Sequence, residues 1–363
     1  MPAPITQYLD TWRGAVLGDR EIVEGRVTDA HAAPSTELAS ALRAWDGFHY
    51  WEDTPSGRWL ILVREPTRPR ERWWLHALLL LVTMLTTSIA GAILAGRSGL
   101  PWTTPTLATL AAGVPFSVPL AIILLAHESG HYTLARRYRV DASPPYFLPL
   151  PPPVSLTGTL GAFIRLRSPV VDRRTLFDIA VAGPLAGLAC ALPALVVGLA
   201  RSTVVPGAPS APMAHQVVIL GGTTLLLGDS ILLRAIRLIV APHGVLLLHP
   251  LAIAGWVGLL VTMLNLLPLT QLDGGHITYA LYGPGQRWIA RACWLGLVLL
   301  GVTARQHAWW LWAMIALVIG RGRLAHPPVL SSDRGLSPRR RWAGYATLAL
   351  FALTFIPMPL VPA

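Results

Sequence analysis

Residues 127–131 read HESGH, and they close an apolar run that begins near Val114. A cluster of metal-binding side chains therefore stands where a membrane-spanning helix is expected. On a helix, His127 and His131 lie one turn apart on one face, a spacing at which two imidazoles share one zinc ion. Glu128 is about 100° round the helix from His127, close enough to act on a water beside the metal without ligating it.

The rest of the chain supplies the membrane setting. Of 363 residues, 53% are hydrophobic and 13% charged, against about 25% charged in soluble domains. Apolar stretches recur at 73–96, 114–132, 176–199, 245–269, 288–302, 307–319 and 342–360. Most match the roughly 20 helical residues that cross a hydrocarbon core. Stretches 288–302 and 307–319 are shorter and read as a tight helical hairpin. The expected fold is an α-helical, polytopic membrane protein of six to seven transmembrane helices with a membrane-associated β-hairpin or re-entrant loop.

Residues 1–66 read as a separate small α+β domain on the cytoplasmic side. Within it, 21–28 alternates as a strand, 35–45 is an amphipathic helix with Ser35 as N-cap, and 49–65 is a hairpin turning at 55–57. The early acids Asp10, Asp19, Glu21 and Glu24 argue against a cleavable targeting signal. Residues 67–285 are expected to form the transmembrane core with the metal site, and 286–363 the C-terminal helices with a basic loop at 321–341.

All 29 basic residues are arginine, and the net charge is +11. They cluster beside apolar ends, which indicates positive-inside sorting and not nucleic-acid binding. Arg64, Arg68, Arg70 and Arg72 precede the first span, Arg136, Arg137, Arg139, Arg165 and Arg167 follow the second, and Arg339, Arg340 and Arg341 precede the last. The opposite side carries little beyond Arg97, Arg201 and Arg305. The N-terminus and the metal site are thus expected on the cytoplasmic side of a prokaryotic inner membrane. That parity requires 217–240, broken by Gly221, Gly222 and Asp229, to lie at the outer face as an interfacial or re-entrant segment. His215, His243 and His249 then fall on the outer side, away from the metal. Cys190 and Cys293 lie in predicted spans and offer no disulfide framework.

A second cluster, NLLPLTQLDGGH at 265–276, ends the run that starts near Val245. By parity it reaches the same side as HESGH. A zinc ion with three protein ligands and one open position is a catalytic arrangement, and His127, His131 and Asp273 supply three. Helix rise puts the ion roughly 10 Å below the headgroups. Ionisable groups at that depth face protein or a water-filled cavity. Asn265 and Pro268 mark an interrupted helix suited to line one.

At these residues the chain resembles the site-2 protease family of intramembrane zinc metalloproteases. That family pairs HExxH with N-x-x-P-x-x-x-L-D-G, matched here by His127, Glu128 and His131 and by Asn265, Pro268, Leu272, Asp273 and Gly274. The stretches GTLGAFIRLRSP (158–169) and LFDIAVAGPLAG (176–187) are similar to the plastid and prokaryotic branch without a PDZ module. The resemblance, covering about residues 60–285, implies one Zn2+ per chain, Glu128 as general base, Asp273 as third ligand, and Asn265 as a stabiliser of the oxyanion or of bound peptide. It implies a transmembrane protein substrate, a single-span regulator, held in the lipid bilayer.

Other features carry structural readings. Asp178 reads as a helix cap, and Gly183 and Gly187 form a GxxxG that suits packing against the metal-bearing helices. His276 is open between a residue supporting the metal ligands and an interfacial histidine. The prolines at 144–153 forbid a helix, and 158–168 alternates as a strand whose segment 162–167 offers an edge to an unwound substrate; a hairpin that merely braces the helices is the alternative. Two other functional classes stay open beside the protease: a catalytically inactive chaperone or scaffold, which should lack Glu128 or a ligand, and a metal or proton transporter, which should carry polar residues near both faces. No pattern in the chain selects a substrate or an oligomeric state.

Overall fold

The computed structural model describes residues 3–17, 20–31, 35–64, 71–96, 106–152, 154–167, 170, 172–204, 216–220, 223–240, 244–303, 307–327, 329 and 335–362. They fall into two compact units, Met1–Glu71 and Arg72–Ala363. In the first, a helical turn α1 (Ala3–Thr6) precedes β1 (Leu9–Leu17), β2 (Arg20–Val27), α2 (Thr36–Arg43), β3 (Phe48–Thr54) and β4 (Gly57–Arg64). The strands form an antiparallel sheet ordered β1-β2-β4-β3. Ser35 caps α2, its Oγ accepting from the Leu38 N–H at 3.3 Å. Leu38 and Leu42 then pack on Leu60 and Leu62 of β4, while Ile61 and Val63 pack with Ile22 on the other face. Burial on both faces makes β4 the centre of this small core. The strand, helix and hairpin expected from sequence are present; β1 is additional, its sequence LDTWRGAVL lacking a clean alternation.

The second unit is built around α3 (Trp73–Leu94), α4 (Leu107–Arg137) and α5 (Arg173–Ala200). Among the described helices, these three are long and apolar enough to cross a membrane. Between α4 and α5 comes an antiparallel hairpin of β5 (Tyr146–Pro149) and β6 (Thr159–Phe163). It is pinned to α3 where the Thr86 hydroxyl donates to Gly158 O at 2.7 Å and where His76 stacks on Tyr146. After α5 follow β7 (Thr203–Val204), β8 (Gln216–Leu220), β9 (Thr223–Leu227), α6 (Ile231–Val240), β10 (Leu246–Leu247), α7 (Pro250–Asn265), α8 (Asp273–Tyr282), α9 (Gln286–Thr303), α10 (His307–Ile319), α11 (Pro338–Thr354) and β11 (Leu360–Pro362). Exposed apolar residues on α3 and α4, among them Trp73, Trp74, Leu81, Ile122 and Leu125, give these helices outward faces suited to lipid.

Several expectations are refined. The apolar run at 245–269 is not one helix. Its first residues pair in β10, and α7 starts only at Pro250, behind His249, whose ring accepts from the Leu251 N–H at 3.2 Å. The described residues of segment 217–240 form no spanning helix: β8 and β9 pair antiparallel within a sheet ordered β11-β9-β8-β10-β7, and α6 has 10 residues. His215 and His243 lie outside the described residues. The expected helical hairpin is present as α9 and α10, joined where Trp294 Nε1 donates to Ala313 O at 3.0 Å.

Asp178 is not the cap of α5. That role belongs to Asp172, whose Oδ1 accepts from the Arg174 and Thr175 N–H groups at 2.8 and 2.9 Å. A cap must sit just before the first helical residue, and Asp178 is more than a turn further on. There it takes two hydrogen bonds from Arg340, at 2.9 and 2.7 Å, and one from the Tyr138 hydroxyl, tying α5 to α11 and to the end of α4. The Asp178 carboxylate holds the Tyr138 phenol above its ordinary pKa.

The bundle depends on close helix contact. A Cβ on Gly198 of α5 would stand 2.2 Å from Ala252 N of α7. Gly198→Ala is expected to force the helices apart and to destabilise the protein by about 1–3 kcal/mol, read as a lower midpoint in thermal unfolding in detergent.

Candidate metal centre

His127, Glu128 and His131 are all buried on α4. The His131 ring donates from Nδ1 to Ile179 O of α5 at 2.8 Å, so its Nε2 keeps a lone pair. That atom lies 3.2 Å from His127 Nε2. Asp273 Oδ2 stands 3.3 Å from each of the two nitrogens. The Asp273 side chain is only 13% exposed, and its Oδ2 has no hydrogen-bond partner. A buried carboxylate oxygen with no hydrogen-bond partner is unfavourable without a cation beside it. Atoms bound to a tetrahedral zinc at about 2.0–2.2 Å are themselves about 3.3–3.6 Å apart. The residues present therefore fit such an ion, and His127, His131 and Asp273 are the three that could hold it.

Local sequence explains the convergence. The α7 helix stops at Asn265, and α8 begins at Asp273, which places this carboxylate in the first turn of a helix. The intervening chain packs so tightly on α8 that a Cβ on Gly274 would stand 1.9 Å from Leu266 O. Asn265 Nδ2 lies 3.2 Å from His127 Nε2. On α5, a Cβ at Gly183 would meet His131 Nε2 at 2.1 Å, and one at Gly187 would meet His127 Cβ at 3.1 Å. The GxxxG thus packs against the histidine-bearing face, as the sequence indicates.

A cavity of about 230 Å³ opens on this cluster, lined by Glu128, Ile164 and His276 among others. The regular strand β6 ends at Phe163, short of the expected 162–167. Beyond it, Ser143 N donates to Arg165 O and Arg167 N to Asp141 O, at 2.9 and 2.8 Å. Arg165 and Arg167 thus turn their backbone toward 141–143, so Ile164 and Leu166 turn theirs the other way. On that side Ile164 lines the cavity with Glu128. The bond of 2.7 Å between His276 Nδ1 and His326 Nε2 was not legible in sequence, since His326 stands in a proline-flanked loop with no motif around it.

Three membrane-length helices and a buried His-His-Asp cluster carried by α4 and α8 define a class: membrane proteins with a candidate metal centre. Residues 115–300 match the peptidase family M50. The chain is 33% identical over 249 residues to a probable zinc metalloprotease EGY1, chloroplastic, of Oryza sativa subsp. japonica, covering 68% of this chain and 41% of that protein. It is 32% identical over 252 residues to the Arabidopsis thaliana protein of the same name, covering 68% and 43%. With Arabidopsis thaliana EGY2, also named a probable chloroplastic zinc metalloprotease, it shares 28% over 252 residues, covering 68% and 42%. The chain spans less than half the length of these relatives. No solved structure matches it significantly. The chain belongs to peptidase family M50, the site-2 protease family its motifs resemble.

Replacing Gly183 with Ala places a methyl group against the His131 ring. Gly183→Ala is expected to lower metal content at least about 10-fold in elemental analysis of purified protein, and Gly187→Ala, with more room, to lower it less.

Proposed function

We propose that the chain is a zinc-dependent intramembrane endopeptidase that cleaves transmembrane segments of membrane-anchored proteins. The observation that carries this reading is the approach of His127 Nε2, His131 Nε2 and Asp273 Oδ2 to within 3.2–3.3 Å of one another, with Glu128 lining the same cavity. In it, the two histidines and Asp273 hold the metal. Zinc bound there supplies a Lewis acid that activates water at neutral pH and polarises a carbonyl oxygen. Glu128 takes the proton of the attacking water and passes it to the leaving amine, acting first as base and then as acid. Asn265 donates from its amide to the developing oxyanion or to the bound peptide.

A helical substrate hides its peptide bonds in its own hydrogen bonds, so it must unwind before it is cut. The edge at Ile164 and Leu166 offers backbone groups that pair with an unwound strand beside Glu128. The substrate class that fits is a single-span membrane protein, a regulator released by cleavage, reached through the bilayer.

The proposed topology follows the arginines, with residues 1–66 and the site facing the cytoplasm of a prokaryotic cell and the β7–β11 sheet at the outer face. In this reading α7, the α9–α10 hairpin and α11 complete a bundle of six to seven membrane segments, the shorter ones meeting the bilayer at its thinner or protein-covered parts. Glu128 and the full ligand set favour an active enzyme over an inactive scaffold. Gathering of the ionisable groups at one end of the bundle favours hydrolysis over transport.

Glu128→Gln is expected to keep zinc while cleavage of a transmembrane reporter falls about 10²–10⁴-fold. His131→Ala and Asp273→Ala should lose the metal as well, and elemental analysis beside the cleavage assay separates the two roles; zinc retained in both ligand variants overturns the assignment. Ile164→Pro removes the edge donor. It should abolish turnover with zinc content intact, and full activity in that variant would refute the edge as substrate holder.

A further inference from the structure

The α8 helix that carries Asp273 is strapped from outside by 324–327, a stretch beyond the matched family region. Leu324 O accepts from the Thr270 N–H at 2.9 Å. Thr270 is buried and has a φ of +44°, a left-handed conformation rare for a β-branched residue. Gln286, 1% exposed, bridges the strap to the 266–272 loop: its Oε1 accepts from the His326 N–H at 3.0 Å, and its Nε2 donates to Pro268 O at 3.3 Å. The His326 ring stacks on Tyr279 of α8 with centroids 4.5 Å apart, and the Tyr279 hydroxyl accepts from the Val329 N–H at 3.2 Å.

The ring hydrogen bonds fix a direction. Pro327 O can only accept, so the contact of 2.5 Å from His326 Nδ1 places the proton on that nitrogen. Burial holds His326 down at about 4, so the ring is neutral and its Nε2 is an acceptor. His276 Nδ1 must then be the donor across the 2.7 Å bond. His276 lines the metal-site cavity one helical turn after Asp273.

We propose that His326 is a positioning residue for the metal centre: by accepting from His276 it locks the first turn of α8, and with it the Asp273 carboxylate, against the two histidines of α4. The proposal rests on the reading of His127, His131 and Asp273 as metal ligands. It assigns a role to a residue outside both motifs and acts through His276, without contact to metal or substrate.

The test uses the full chain in detergent loaded with Co2+, whose visible absorption reports ligand geometry, with affinity measured by chelator competition. His326→Leu removes the acceptor, whereas His326→Gln restores one near the position of Nε2. The Leu variant is expected to bind Co2+ about 10-fold more weakly with an altered spectrum, and the Gln variant to recover most of both. A Leu variant with wild-type affinity and spectrum overturns the proposal, as does equal loss in both variants. A wild-type chain that takes up no Co2+ overturns the ligand reading itself and this proposal with it, an outcome distinct from the other two.

Discussion

A single carboxylate oxygen organises the membrane unit. Asp273 Oδ2 is buried, lacks a hydrogen bond, and faces two imidazole nitrogens at 3.3 Å. Charge in that setting is tolerated only beside a compensating cation or a positive dipole. Its place in the first turn of α8 supplies part of this, because the N-terminal end of a helix favours an anion. The remainder would fall to a cation held by the three side chains. Small residues around the cluster follow from the same demand, since Gly183 and Gly187 leave room for the imidazoles and Gly274 lets α8 begin directly beneath Leu266.

The proposed hydrolysis needs water and an unwound backbone at one point, and the hairpin after α4 lines the cavity where both would meet. Its Ile164 lines the same cavity as Glu128. The hairpin thus brings an irregular stretch of backbone, held on one side by 141–143, to the wall of the cavity that Glu128 also lines.

The chemistry was more legible in the sequence than the architecture around it. HESGH fixes its own geometry because a helix puts residues four apart on one face. The second motif could be placed beside it by span parity, and the GxxxG by the need for close packing. What escaped were features set by tertiary contact. Apolar runs do not say where a helix starts, so β10 and the His249 cap within 245–269 were unreadable, as was the five-stranded sheet. Asp172 and Asp178 are both acids near the start of α5, and only the fold shows that the first caps the helix while the second binds Arg340. His326 has no local signature at all; its position depends on Gln286 and Tyr279, 40 and 47 residues away in the chain.

The break between α7 and α8 is the step that turns an apolar segment into a site. Asn265 Nδ2 and Asp273 Oδ2 approach the same atom, His127 Nε2, at 3.2 and 3.3 Å. On an unbroken helix these residues, eight apart, would be separated by about 12 Å along the axis, too far for two short side chains to meet at one nitrogen. Folding the chain back through 266–272 removes that separation. Pro268 lacks an N–H, which makes it compatible with the irregular stretch, and Thr270 accepts a left-handed backbone whose N–H is satisfied by Leu324 O. The spacing of the second motif is therefore the length of a turn: enough chain to reverse between Asn265 and Asp273, with a glycine placed where the returning helix touches the loop it has just left.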